Sequence, residues 1–236
     1  MNTGMRTTAS IIASLVLVAS GVVAQEPSRS VLFPAPAAAW DVIGSLGATV
    51  TILPRPIAEE EIRQIPLLDL GVRVGLPHGF SLLGGIATNV LTTSAAAGAE
   101  WSYRYGKYSV AIGDRHSFWY GTAQIEGFDA SAIGWMNHPF VTLGADYTEV
   151  RLVARAEATL VLYRSTRVGD EEVSTESNLR SGTAFMLAIE QPFIDRTEVS
   201  IGLRLNITDS AVQSWLAFTT LRDKLIYPEI LVSVLL

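Results

Sequence analysis

The stretch Leu68-Asp69-Leu70-Gly71-Val72-Arg73-Val74-Gly75-Leu76 puts a large aliphatic at every even position and a small or charged residue at every odd one. A period of two over this length predicts a β-strand with one apolar and one polar face. Asp69 and Arg73 share the polar face, so that face is not an ordinary protein core. The pattern suits a wall with lipid on one side and a polar, charge-paired lumen on the other.

The same alternation predicts strands over 45–53, 80–91, 99–105, 108–113, 140–145, 150–162, 183–190, 198–207 and 228–236, about ten in all. The run from Val150 to Leu162 is the longest, with Val150, Leu152, Ala154, Ala156, Ala158, Leu160 and Leu162 opposing Arg151, Arg155, Glu157 and Thr159. Pro77-His78-Gly79 and Gly106-Lys107 read as tight turns. Residues 92–97 read as a small linker, and 54–66, 117–138, 164–181 and 208–226 as long polar connections. Short and long connections therefore alternate. That is the signature of an antiparallel transmembrane β-barrel with short periplasmic turns, long external loops and both termini in the periplasm. Phe80, Tyr105, Tyr108 and Tyr147 lie at the short turns, and Phe118, Trp119 and Tyr120 near the opposite rim, as two aromatic girdles require.

Composition sharpens this picture. Nearly half of the 236 residues are hydrophobic. Yet past the N-terminal stretch no uncharged apolar run reaches the roughly 18 residues of a spanning helix. Residues 1–24 read as a signal peptide, with Arg6 in the n-region, Ile11 to Val18 as the apolar core and Val22-Val23-Ala24 at the cleavage site. Residues 25–39, with Pro27, Pro34 and Pro36, read as an irregular leader, and 40–236 as the barrel. Removing the signal takes one of the 17 basic residues and none of the 23 acidic ones, so the mature chain is more acidic than the net −6 of the whole. That excludes a nucleic-acid partner, which needs a basic face. The absence of cysteine excludes disulfides, thiol catalysis and an N-terminal lipid anchor.

On the signal peptide, the alternation, the loop asymmetry and the alternating last strand, residues 40–236 resemble the small outer-membrane β-barrel proteins of Gram-negative bacteria. No subfamily motif accompanies the resemblance. Such proteins usually end in an aromatic residue, whereas this chain ends in Leu236. The resemblance implies residence in the bacterial outer membrane, contact with its lipid and delivery by the barrel insertion machinery.

Parity places Asp69, Glu100, Glu157, Glu190 and Glu198 inside the barrel with Arg73, Arg104, Arg151, Arg155 and Arg204. Arginine pairs bidentately with carboxylate and stays charged when poorly solvated. The expectation is a non-enzymatic barrel whose charge-paired lumen is a structural plug or a narrow passive pore for a small solute. Inward Gly71, Gly75, Ala111, Gly113, Gly144, Ala184 and Ala188 leave room for water or a ligand.

A rim hydrolase is the rival reading. In Asp114-Arg115-His116-Ser117 an acid stands two residues from a histidine. It resembles the Asp–His pairing of the ten-stranded outer-membrane proteases, in which a carboxylate orients an imidazole. The second aspartate pair of those enzymes is absent here. Asp114 and His116 also share parity with Tyr108, Val110 and Ile112, which points them outward. His78 and His138 fall in loops, and no histidine pair has metal-ligand spacing. Asp170-Glu171-Glu172 reads as part of a solvated loop, and nothing calls for a cofactor. A soluble periplasmic lipid carrier would read the alternation inside out. A barrel of this size cannot enclose that many apolar side chains and still hold a lipid.

Overall fold

The computed structural model describes residues 29–54, 64–89, 91–125, 128–147, 149–194, 197–209, 215 and 224–236. The signal segment 1–24, the connection carrying Glu59, Glu60 and Glu61, and most of 208–226 lie outside the described residues.

Ten antiparallel strands form a closed barrel: β1 (Val42–Ile52), β2 (Gln64–Gly75), β3 (Phe80–Thr88), β4 (Thr92–Tyr105), β5 (Tyr108–Ile125), β6 (Phe128–Asp146), β7 (Arg151–Val168), β8 (Glu171–Ile194), β9 (Thr197–Thr208) and β10 (Leu225–Leu235). Each pairs with its sequence neighbours, and β1 closes on β10 from Ser45↔Leu235 to Thr51↔Glu229. Closure leaves no sheet edge, the condition for a strand structure in lipid.

The alternation sorts as expected. Leu68, Leu70, Leu187, Ile201 and Leu203 are each more than half exposed on the outside, whereas Thr142, Ser200 and Glu190 are sealed within. Apolar outside and polar inside is the arrangement of a membrane-spanning barrel, and it removes the soluble lipid carrier. Phe80, Tyr105, Tyr108 and Tyr147 are exposed at the end with the short turns. Phe118, Tyr120, Trp135 and Tyr163 are exposed toward the other.

Four expectations are corrected. Residues 92–97 are the first six residues of β4, not a linker. The connection at 117–138 is strand on both sides, with β5 and β6 paired from Tyr108↔Ala145 to Ile125↔Phe128. The loop at 164–181 is likewise a hairpin, turning at Gly169-Asp170. A membrane strand needs about 9–11 residues. The 18 residues of β5 and the 24 of β8 therefore project well past the apolar band. In the first half of β8, Glu171 to Ser181, both faces are largely polar, so the period of two vanishes from the hydrophobicity while the backbone ladder continues. The fourth correction is Trp119. It points inward and is fully buried against Ala132, Met136 and Val161.

Candidate functional site in the barrel lumen

The lumen is layered. At the end with the short turns it is occupied by the chain's own N-terminal segment. Residues 29–39 enter the barrel mouth, where Ser30, Phe33 and Ala35 are completely buried. Phe33 packs with Ala35, Val153, Met186 and Ala188. The Glu190 carboxylate accepts the backbone N–H groups of Val31 and Leu32 at 3.0 Å and of Phe33 at 3.1 Å. Arg73 Nη2 donates to the Ala35 carbonyl at 2.7 Å. The guanidinium groups of Arg104 and Arg151 stand 6.0 and 5.7 Å from the Phe33 ring centre. The small wall residues make this seat. A Cβ on Gly144 would lie 2.5 Å from the Phe33 ring, and one on Gly75 would strike the Ala38 carbonyl. The expected room for water or a ligand at Gly75 and Gly144 is thus filled by protein. At Gly113 it is filled by the Phe140 ring.

Around and above the segment the inward charges pair. Arg73 meets Glu100 at 2.7 Å, Arg104 meets Asp146 at 3.0 Å, and Arg151 meets Glu198 at 2.8 Å with Glu190 at 3.8 Å. Arg204 meets Glu157 at 2.6 Å and Glu229 at 3.8 Å. Arg155 donates to Thr142 Oγ1 at 2.9 Å and stacks 4.3 Å above the Phe140 ring. Asp69 sits under Gly47, its cross-strand partner, whose missing Cβ makes space for the carboxylate. Parity over the shorter strands had missed Arg115, His138, Asp146 and Glu229, all of which join this network.

Three of the network's members form a chain across neighbouring strands. Ser117 Oγ lies 2.9 Å from His138 Nε2, and His138 Nδ1 lies 3.3 Å from Glu157 Oε1. They come from β5, β6 and β7. His138 is directly opposite Arg115, and Glu157 is opposite Phe140. His138 is therefore diagonal to both Ser117 and Glu157, within side-chain reach. Pro139 carries no N–H, and the β6–β7 register passes from Asn137↔Leu160 to Phe140↔Glu157 without pairing His138 or Pro139. His138 is not a loop residue, as its place before Pro139 suggested. It is nine-tenths buried inside the wall.

The rim quartet separates. Asp114 and His116 are half-exposed on the outer face, 3.7 Å apart. Asn137 Nδ2 donates to both Asp114 oxygens at 2.7 Å and lies 3.2 Å from His116 Nε2. Ser117 and Arg115 point the other way, into the lumen. One strand cannot present adjacent residues to one face, so Ser117 does not meet Asp114 and His116. His78 lies in the turn before β3 with φ 64°. No cluster of metal-ligating side chains occurs among the described residues.

No family model matches the chain, and no curated protein does. Among solved structures, it is similar to CdiB from Acinetobacter baumannii at 8% identity and a TM-score of 0.33 over 70% of this chain, spanning only 31% of that one. It is similar to the KdgM porin at 8% identity and a TM-score of 0.40, over 81% of this chain and 97% of that one. It is also similar to a loop-deletion mutant of OmpT, an outer membrane protein of Vibrio cholerae, at 8% identity and a TM-score of 0.21, over 83% of this chain and 98% of that one.

Proposed function

We propose that this is an integral, porin-like protein of the bacterial outer membrane, with a narrow lumen stoppered at its periplasmic mouth by the mature chain's own N-terminal segment. In this reading the barrel is passive, and a small solute passes only when residues 29–39 leave their seat. One observation carries it. Glu190 and Arg73 grip the backbone of that segment from inside the barrel, while Gly75 and Gly144 are hollowed to receive it. Outer-membrane lipid is the environment this reading requires, and the barrel insertion machinery is the partner that delivers the chain there. Asp114 and His116 have no hydrolytic role in it.

Planar-bilayer conductance tests the proposal. The wild-type protein is expected to hold no steady conductance, and a variant lacking residues 29–39 is expected to conduct. Both should show the heat-dependent gel mobility of a closed barrel. A wild type that conducts, with no change on deletion, would sink the plug reading.

A further inference from the structure

We propose that the lumen also carries a nucleophilic hydrolase centre, with Ser117 as nucleophile, His138 as its base and Glu157 as the group that positions the imidazole. Its substrate is a small anionic carboxylic ester. This goes beyond the passive reading and does not depend on it.

The argument is geometric. A nucleophile needs a base within hydrogen-bond reach and the base needs an orienting group behind it. Ser117 Oγ is 2.9 Å from His138 Nε2, and Glu157 Oε1 is 3.3 Å from the opposite ring nitrogen. When the serine hydroxyl donates to Nε2, the ring proton sits on Nδ1, facing Glu157. That second contact is too bent to be a full hydrogen bond at rest, as resting catalytic contacts often are before substrate tightens them. His138 and Glu157 are buried, whereas Ser117 keeps part of its surface open.

The surroundings supply the other parts. Arg115, two residues from Ser117 on the same face, has a buried Nε–H with no hydrogen-bond partner among the described residues. That N–H is the donor we assign to a developing oxyanion. Arg115 and Arg204 both meet Glu157, and Arg204 also reaches Glu229. Arg155 has no carboxylate within ion-pair distance among the described residues; it holds only Thr142 and the Phe140 ring. A lumen guanidinium with no carboxylate of its own favours a negatively charged substrate.

The reaction balances with water alone. Ser117 Oγ attacks the ester carbonyl carbon as its proton passes to His138 Nε2. The carbon–oxygen bond to the leaving group breaks, and His138 returns the proton to the departing alkoxide. The acyl group is now on Ser117. Water gives a proton to His138 and attacks the acyl carbon, the bond to Oγ breaks, and the proton returns to Oγ. An alcohol and a carboxylic acid leave.

The test uses the folded, detergent-purified barrel with diisopropyl fluorophosphate, followed by mass mapping, and with mono-p-nitrophenyl succinate against p-nitrophenyl acetate. Label on Ser117, lost in Ser117→Ala and slowed about a hundredfold in His138→Ala, supports the assignment. So does faster turnover of the succinate ester. Glu157→Gln is expected to lower kcat about tenfold while KM stays within about twofold, because a positioning residue acts on the base and not on substrate binding. Heat-dependent mobility shows that each variant is folded. A folded wild type that takes no label, or takes it on a different serine, overturns the proposal. Preference for the neutral ester overturns the substrate class, and neither result touches the conductance test.

Discussion

Glu190 accepts the backbone N–H of Phe33 at 3.1 Å, joining residues 157 positions apart. The carboxylate is wholly buried and also receives Val31 and Leu32. Removing it strands the N–H groups of Val31 and Leu32, while that of Phe33 keeps Ser30 Oγ at 2.8 Å. An unsatisfied buried donor costs about 1–3 kcal/mol. Glu190→Ala is therefore expected to lower stability by about 2 kcal/mol or more and to release the N-terminal segment. Urea unfolding in vesicles measures the first, and limited proteolysis from the periplasmic side the second. Glu190→Gln, which keeps an acceptor oxygen, should restore part of both.

Gly144 is the seat of the Phe33 ring. In Gly144→Val the new side chain and the ring cannot both occupy the mouth. The segment is expected to leave while the barrel stays closed, because the wall hydrogen bonds are untouched. Conductance should then match that of the variant lacking residues 29–39. A silent, heat-modifiable Gly144→Val protein would show that the lumen stays shut without the segment.

The pair of Arg73 and Glu100 is buried on both sides at 2.7 Å. Breaking a buried pair from one side leaves an uncompensated charge and costs about 3–5 kcal/mol. Glu100→Ala and Arg73→Met alone are each expected to destabilise by that order. The double variant should lose much less than their sum. Equilibrium unfolding of all four proteins gives the coupling directly.

His116 and His138 separate the two histidine readings. His116→Ala on the outer face is expected to change neither Ser117 labelling nor, beyond about 0.5 kcal/mol, stability. Asn137 still satisfies the Asp114 carboxylate. A loss of hydrolysis in His116→Ala with His138→Ala intact would reinstate the rim site.

Much of this protein was legible because a strand's side-chain parity is a local property. The alternation from Val150 to Leu162 shows which residues face lipid and which face the lumen, whatever the neighbours are. Ten strands, the lipid face and the inward arginines follow from it. Parity was also sufficient to place Ser117 and His138 inside, had β5 and β6 been extended through their outer halves. There Asp114, His116 and Asn137 interrupt the outward apolar side chains, while Trp119 and Met136 interrupt the polar inward face, and the hydrophobic signal fades.

What the tertiary structure alone decided is which inward residues touch. Ser117, His138 and Glu157 meet only because β5, β6 and β7 pair in one register, with a break at Pro139 that no single strand's pattern contains. Glu190 finds residues 31–33 only because the barrel closes around them. The sequence determined the faces of the wall, since each strand's alternation is written in consecutive residues. The contents of the lumen depend on closure and register, which join residues far apart in the chain.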